Sequence, residues 1–238
     1  MPEARPAPTY HRYDSKAAAA PDMARAAVDV LSVAIAERGA ATFVLTGGSS
    51  PAALYRQLAE AHAGSLDWGR VHVFLGDERC VPHDHPDSNM QTCAPLLDGL
   101  PFAVDHIHAW RTDLAPGEAL ADMRAVLAKA LPTDGGFDLV LLGVGPDGHV
   151  ASLFPAHAPW EALSEDAPDA VAYVDDSPKP PAERFTFTLP LLNRAAHVWL
   201  MPFGSGKEEA LEGFRQNEKS LPVSYVRGEE TVVWTDLE

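Results

Sequence analysis

The sequence is poor in cysteine and in long apolar stretches, and each shortage excludes a class of protein. Only two of its 238 residues are cysteine, Cys80 and Cys93, which is too few for a disulfide framework. We interpret them as two reduced thiols. No apolar run approaches the roughly 18 residues of a membrane-spanning helix, and residues 1–20 lack the apolar core of a signal peptide. We therefore expect a cytoplasmic protein with no membrane partner.

Basic residues are also scarce, with 18 lysines and arginines against 34 aspartates and glutamates and a formal net charge of −16. Nucleic acids and anionic membranes bind to basic faces, so this excess of acid argues against both as partners. An anionic small molecule would need a few cations gathered at its own site. Hydrophobic residues make up 46% and charged residues 22%, which are the proportions of a globular chain and exclude disorder, collagen and coiled coil.

Short apolar runs alternate with amphipathic stretches along the chain. The apolar runs predict strands at 41–46, 71–75, 137–142, 171–174, 184–189, 197–201 and 231–235, and Ile107 is expected in a brief strand or loop. The amphipathic stretches predict helices at 17–38 with a stop at Gly39, from Pro51, at 89–97, at 117–131 and from Lys207. Strands and helices that alternate in this way form an α/β fold, a mostly parallel sheet with helices on both faces. No repeat or flexible linker divides the chain, so we expect one domain over residues 1–238.

Ligands of open α/β sheets bind beyond the carboxyl ends of the strands, and this rule selects three loops. The first contains Gly47, Gly48, Ser49 and Ser50, and a helix is expected to begin at Pro51. Its glycines let the backbone approach a ligand, its hydroxyls can donate, and the helix offers free N–H groups at its positive end. A phosphate or carboxylate cradle is one interpretation, and a plain glycine turn with Ser50 as the helix N-cap is the other. The loop is not a Walker P-loop, because no Gly-Lys-Ser/Thr follows.

The second loop places three charged residues, Asp77, Glu78 and Arg79, directly after a strand. Arg79 could bind a phosphate in bidentate geometry, and Asp77 could accept from sugar hydroxyls or hold that arginine. The alternative is a salt-bridged turn exposed to solvent.

The third loop contains the richest chemistry. Gly143, Gly145 and Gly148 permit a tight turn, and Asp147 and His149 flank one of these glycines. A histidine is the natural general base near neutral pH, and a carboxylate two residues away could hold its tautomer. A lone histidine is more often structural.

Other kinds of chemistry find little support in the sequence. His83 and His85 could begin a metal site, but no third ligand has convincing spacing, so we expect no metal. The motif GxSxG is absent, which argues against a covalent serine intermediate. The glycines after the strand at 137–142 do not have the spacing of a dinucleotide fingerprint, so we expect no NAD and no other cofactor.

With these residues assembled, the chain resembles the 6-phosphogluconolactonases nearly from end to end. The resemblance depends on several motifs in the same order: LTGGSSP (45–51), FLGDERCVP (74–82), DSN (87–89), LGVGPDGHVASLFP (142–155), DSPKPP (176–181) and RFTFT (184–188). Any one of these motifs alone would be weak evidence. Together they make the resemblance specific.

The resemblance implies a Rossmann-like α/β fold shared with glucosamine-6-phosphate deaminase and ribose-5-phosphate isomerase. It implies a metal-free hydrolase of 6-phospho-glucono-δ-lactone, a phosphorylated sugar lactone of the oxidative pentose phosphate pathway. By the same resemblance His149 is the base, and Arg79 and Lys207 meet the anionic substrate. We expect its phosphate at residues 47–50, assisted by Arg79, Arg184 or Lys207. Nothing in the sequence demands an oligomer, and a monomer is compatible with it.

Two rival functions stay open from the sequence. Amino-sugar phosphate deaminase–isomerases share the Gly-Gly loop and the Asp-Gly-His turn, but they resemble this chain less at Phe154 and Pro155, where they carry Glu-Pro. Their chemistry needs that carboxylate to support ring opening. A non-catalytic sugar-phosphate sensor would be expected to carry a DNA-binding helical domain, for which residues 1–40 are too short and too poor in lysine and arginine.

Overall fold

The computed structural model describes residues 7–132, 135–156 and 170–238. The strands within these ranges are β1 (Thr9–Arg12), β2 (Ala41–Leu45), β3 (Val71–Leu75), β4 (Asp77–Arg79), β5 (Ile107–His108), β6 (Leu139–Gly143), β7 (Val171–Val174), β8 (Arg184–Phe187), β9 (His197–Met201) and β10 (Glu230–Thr235). The helices are α1 (Lys16–Arg38), α2 (Ala52–Ala61), α3 (Asn89–Leu97), α4 (Pro116–Ala130), the short α5 (Leu189–Leu192) and α6 (Glu208–Arg215).

Seven strands form one sheet in the order β1-β10-β9-β6-β2-β3-β5, and every neighbouring pair in it is parallel. All five residues of β2 and the first four of β6 are buried. A strand that is covered on both faces has no solvent side, which is why these segments read as continuous apolar runs. The predicted α/β fold with a mostly parallel sheet is confirmed.

Helix α1 shows how local signals set the ends of an element. The hydroxyl of Ser15 accepts from the backbone N–H of Ala18 at 3.2 Å, and Gly39 ends the helix with a φ of 81°. The predicted helix at 17–38 and its stop at Gly39 are therefore confirmed. No helix in the described ranges, the 23-residue α1 included, is long and apolar enough to cross a membrane.

Two strands were not predicted, and the second of them builds part of the site. β1 is exposed at all four positions and pairs parallel with β10 at one edge of the sheet. β4, expected to be a loop, is a strand that pairs antiparallel with β8, and β7 completes a separate three-stranded sheet. Neither segment has the apolar pattern by which strands are recognised in a sequence. Each is a strand because its backbone pairs with a distant part of the chain.

Several predicted boundaries differ from the structure, and three of them matter most. Ser50 is not an N-cap, because α2 begins at Ala52, and Pro51 occupies the cap position with no side-chain hydrogen bond. The strand expected at 184–189 stops at Phe187, and α5 follows directly. The strand expected at 137–142 starts two residues later, at Leu139. In each case the order of elements is right and the error lies at an end.

Gly76 joins the two sheets at the place where the predicted loops meet. Its N–H donates to the carbonyl of Leu45 at 2.9 Å, and its own carbonyl accepts from the N–H of Phe187 at 2.8 Å. Strands β6, β2 and β3 are neighbours in the parallel sheet, so the loops that follow them emerge side by side. The small antiparallel sheet then adds Asp77, Arg79 and Arg184 to the same edge.

Candidate active site

A cavity of about 230 Å³ opens at the carboxyl ends of the parallel strands. Nine of the ten site residues predicted from the sequence line it: Gly47, Gly48, Ser49, Ser50, Asp77, Arg79, His149, Arg184 and Lys207. The tenth, Asp147, bonds to one of them. Residues from all three predicted loops therefore meet in one cavity, together with two cations from β8 and from the residue before α6.

The Gly47–Ser50 loop forms one wall, with cations arranged beside it. Gly48 has a φ of 79°, in the left-handed region that favours glycine. The buried Ser50 hydroxyl accepts from the Lys207 ammonium at 3.3 Å. On the neighbouring residue, the Ser49 carbonyl accepts from the Lys16 ammonium at 2.9 Å. Hydroxyls, glycine backbone and ammonium groups together suit an anionic group.

Asp147 and His149 form a hydrogen-bonded pair. Nδ1 of His149 lies 2.5 Å from Oδ1 of Asp147, and the Lys179 ammonium lies 3.3 Å from the same oxygen and 3.1 Å from Nδ1. An ionised carboxylate only accepts, so Nδ1 donates to it and the neutral ring keeps its lone pair on Nε2. This tautomer is the one that a general base in the cavity needs.

The charge of Asp147 is stabilised by its neighbours. Partial burial acts to raise the pKa of this carboxyl, but the hydrogen bond from His149 and the charges of His149 and Lys179 hold it well below its usual range. Asp147 therefore stays ionised across the neutral range, where it can orient and stabilise a charged imidazole.

Asp77 has both carboxylate oxygens bound by protein groups. Ser152 donates to Oδ2 at 2.7 Å, Asn89 donates to Oδ1 at 3.1 Å, and Nη1 of Arg184 lies 3.9 Å from Oδ2. Of the two roles open from the sequence, this arrangement favours a carboxylate that holds an arginine and other wall residues.

Arg184 is buried and ties a second loop to the site. Its guanidinium donates to the carbonyls of Lys179 at 2.9 Å and Pro181 at 3.0 Å, and it lies 5.6 Å from the ring centre of Phe154. Burial lowers the pKa of this guanidinium, and the charge of Asp77 opposes that effect. The Phe154 ring also lies 4.7 Å from the His149 ring. Arg184 thus holds the backbone from Lys179 to Pro181 in place.

Glu78 serves the fold of the site. It is fully buried and accepts from the backbone N–H groups of Arg79, Asn89 and Met90 and from the hydroxyl of Ser88, at 2.7–3.2 Å. Burial raises the pKa of this carboxyl, and these hydrogen bonds act against the increase. The first turn of α3 is therefore capped by a strand residue, which sets the place of Asn89.

This chain is similar in sequence and in structure to known proteins. The family described as glucosamine-6-phosphate isomerases/6-phosphogluconolactonase matches residues 14–234. The chain belongs to this family. It is 38% identical over 225 residues to 6-phosphogluconolactonase 3, chloroplastic, of Arabidopsis thaliana, covering 90% of this chain and 68% of that protein. It is 39% identical over 219 residues to 6-phosphogluconolactonase of Mycobacterium tuberculosis, covering 87% and 86%.

Solved structures of the glucosamine-6-phosphate isomerase/6-phosphogluconolactonase family share the fold. The crystal structure of 6-phosphogluconolactonase from Thermotoga maritima is similar with a TM-score of 0.83 and 28% identity, over 98% of this chain and all of that one. The 6-phosphogluconolactonase structure from Trypanosoma brucei gives a TM-score of 0.83 and 26% identity, over 97% and 96%. The resemblance stated from the sequence motifs is confirmed.

Among the residues of this family member that were not assigned to the site from its sequence are Lys16, Asn89 and Lys179, which contact predicted site residues. Asn89 and Lys179 lie in the motifs at 87–89 and 176–181, which carry the resemblance, so a signal existed without a role attached to it. Lys16 had no signal, because it lies at the start of α1 and reaches the site only through the fold.

Two further predictions for this family member concern its cysteines and a metal site. Cys80 and Cys93 are free thiols, and burial raises the pKa of both, that of Cys80 to about 12. A thiol of this kind is a poor nucleophile at neutral pH. Over residues 7–132, 135–156 and 170–238, no group of three or more histidine, cysteine, aspartate or glutamate side chains is arranged to hold a metal ion.

Proposed function

We propose that this member of the family hydrolyses 6-phospho-D-glucono-1,5-lactone to 6-phosphogluconate, a step of the oxidative pentose phosphate pathway. The observation that carries the proposal is the Asp147–His149 pair, 2.5 Å apart, at a cavity that is also lined by the glycines and hydroxyls of residues 47–50 and by Lys207. A base and an anion cradle in one cavity match a phosphorylated cyclic ester. The names of the relatives support the same reaction.

The substrate phosphate docks at the loop of residues 47–50 in this proposal. Of the three cations considered from the sequence, Lys207 bonds directly to the loop, through Ser50. Arg184 is engaged by the carbonyls of its own loop. Arg79 lines the cavity, and its buried Nε has no hydrogen-bond partner among the described residues. We therefore propose Lys207 as the principal phosphate contact, with Arg79 beside it.

His149 then acts as the general base. Its Nε2 takes a proton from a water molecule while the water oxygen bonds to C1 of the lactone and the carbonyl electrons move onto oxygen. Asp147 stabilises the imidazolium that results. Backbone N–H groups of a glycine loop, or a cation, hold the oxyanion. The intermediate collapses as the bond from C1 to the ring oxygen breaks, and the imidazolium returns its proton to that oxygen.

Phe154 favours the lactonase over the deaminase–isomerase. Its ring packs between His149 and Arg184, at 4.7 Å and 5.6 Å, where the rival chemistry would require a carboxylate. A lactone needs no ring opening of a sugar hemiacetal, so an apolar neighbour of the base is acceptable.

We also propose that the enzyme works without metal or cofactor, as one domain, as a monomer and in the cytoplasm.

The test of the proposed function is the hydrolysis of fresh 6-phosphogluconolactone, measured through the acid that the reaction releases. Wild-type protein should accelerate it, and His149→Asn should lower kcat by roughly 10²–10⁴-fold with KM changed little, because a positioned base contributes about that much. Near-wild-type turnover by His149→Asn would overturn the base assignment. A wild-type protein that binds 6-phosphogluconate without accelerating the reaction would show a sensor and not an enzyme.

Asp147→Asn tests the partner of the base. The asparagine amide can donate to Nδ1 of His149, which stabilises the tautomer with its proton on Nε2 and removes the lone pair that faces the substrate. We expect kcat to fall by up to roughly 10⁴-fold. The melting temperature at neutral pH should also fall, because the interactions that hold the pKa of this carboxyl low are lost. An unchanged kcat would mean that Asp147 does not set the tautomer.

A further inference from the structure

Two ammonium groups from distant parts of the chain meet at the same loop. Lys16 is the first residue of α1 and donates to the Ser49 carbonyl at 2.9 Å, and Lys207 donates to the Ser50 hydroxyl at 3.3 Å. Burial lowers the pKa of Lys207, and the charge of Lys16 lowers it further. The two lysines are therefore close enough to repel each other.

Lys16 lies beside positive charge from two sources, Lys207 and the amino-terminal end of α1. It stands at the positive end of a 23-residue helix whose first turn contains no acidic residue. In the described part of the chain, neither lysine has a carboxylate within 4.0 Å. Asp236 offsets part of the repulsion felt by Lys207 from farther away. A local arrangement that opposes stability is expected at functional sites, where a ligand supplies what is missing.

We propose that Lys16 is a second ammonium of the phosphate cradle and that, together with Lys207, it makes the enzyme select phosphorylated over unphosphorylated lactones. The inference rests on the proposed function and adds to it a residue and a source of specificity. A phosphate monoester carries about −1.5 to −2 charges near pH 7, so two ammonium groups match its charge. The positive end of α1 adds to the same attraction. In a chain of net charge −16, such local cations decide where an anion binds.

The competing interpretation is that Lys16 has a purely structural role. In that case the bond from Lys16 to the Ser49 carbonyl would simply hold α1 against the loop. Its loss would then lower stability and disturb every substrate equally. A phosphate contact predicts the opposite on both counts, since removing Lys16 relieves repulsion in the empty protein and matters only when the ligand carries a phosphate.

The experiment compares Lys16→Gln with wild type on 6-phosphogluconolactone and on glucono-1,5-lactone. We expect KM for the phosphorylated lactone to rise roughly tenfold, as for the loss of one charge-assisted contact, with kcat within threefold. The kcat/KM for glucono-1,5-lactone should stay within twofold, and the melting temperature should be equal or higher. Lys16→Arg should keep KM within threefold of wild type. Lys129→Gln, an exposed lysine in α4, is the charge-matched control and should change neither substrate.

An equal loss of kcat/KM on both lactones with a lower melting temperature would establish the structural role of Lys16 and overturn the proposal. An unchanged KM for the phosphorylated lactone would also overturn it. Binding of inorganic phosphate, measured by calorimetry, separates this inference from the proposed function. If wild type binds phosphate but hydrolyses neither lactone, the proposed reaction fails. A roughly tenfold weaker phosphate affinity in Lys16→Gln would still support the contact, and an unchanged affinity would refute it.

Discussion

Single glycines let the side chains of the candidate site come as close as they do. A Cβ on Gly145 would overlap Nδ1 and Cε1 of His149 and Oδ1 of Asp147, and a Cβ on Gly47 would overlap the side-chain amide of Asn89. Every other residue type would push these polar groups away. The glycines of the loops at 47–50 and 143–149 thus permit close side-chain contact, in addition to the turns for which glycine is usually noted.

Gly145→Ala tests this packing without changing any polar group. The added methyl group must displace the His149 ring or the Asp147 carboxylate, and a displacement of about 1 Å can cost roughly a hundredfold in rate. We expect kcat on 6-phosphogluconolactone to fall by about that factor, with the far-UV circular dichroism of the wild type. Gly117→Ala is the matched control, because nothing lies within 4 Å of the added Cβ. A Gly145→Ala enzyme with kcat within threefold of wild type would show that the pair does not need its present geometry.

At the scale of elements, the short charged strand β4 connects the two sheets to α3. Asp77 and Arg79 face the cavity, and Glu78 between them turns inward and caps the first turn of α3. Alternation along a strand produces this division, because successive side chains point to opposite faces. The cap in turn places Asn89, which donates to both the backbone and the carboxylate of Asp77. One three-residue strand therefore places Arg79, the proposed anion contact, together with a supporting carboxylate and the start of a helix.

Glu78→Gln is predicted to destabilise this junction. Each carboxylate oxygen accepts from two donors, and the amide nitrogen of glutamine would face two of those donors unpaired. An unsatisfied buried donor costs about 1–3 kcal/mol, which the urea midpoint should report. Glu118→Gln, at an exposed position in the first turn of α4, is the control and should cost only a few tenths of a kcal/mol. Equal losses in the two variants would show that Glu78 is not a cap.

At the scale of the whole molecule, a histidine cluster lies at the β3–β5 edge of the parallel sheet. Nδ1 of His72 lies 2.9 Å from Nε2 of His108, and the rings of His72 and His106 stack at 3.7 Å. Burial, and after it the neighbouring histidines, lower the pKa of His108 to about 4, and burial and His106 lower that of His72, with Asp105 opposing both shifts. This cluster links the stability of the fold to pH without touching the site.

The sign of that dependence follows from the lowered pKa values. In the unfolded chain His108 binds its proton near pH 6.5, and in the folded protein near pH 4, so between these values the unfolded state holds more protons. Stability should therefore fall as pH decreases from about 6.5 towards 4. We expect the melting temperature to drop between pH 7 and pH 5, and His108→Asn to drop less. Comparing both proteins also at pH 8, where the rings are neutral, separates titration from lost packing. Identical slopes would exclude the cluster as the cause.

Much of the arrangement could be predicted from the chain alone because the relevant forces act locally. Three kinds of feature depend on neighbours in sequence: the apolar runs of β2, β3 and β6, the end of α1 at Gly39, and the loops that follow the strands. The residues that escaped prediction depend on distant partners. β4 is a strand only because β8 pairs with it, and Ser50 turns to Lys207 and away from the helix that it was expected to cap.

The amino-acid sequence by itself determined the α/β class, the edge of the sheet at which the cavity opens, and nine of the residues that line that cavity. Hydrophobic periodicity and the rule for strand ends are enough for that, since both act along the chain. Only the tertiary structure decided which charges meet: Lys179 at His149, Lys16 beside Lys207, and Glu78 under α3. Electrostatic contacts depend on distance in space, and only the fold brings groups that are far apart in the sequence next to one another.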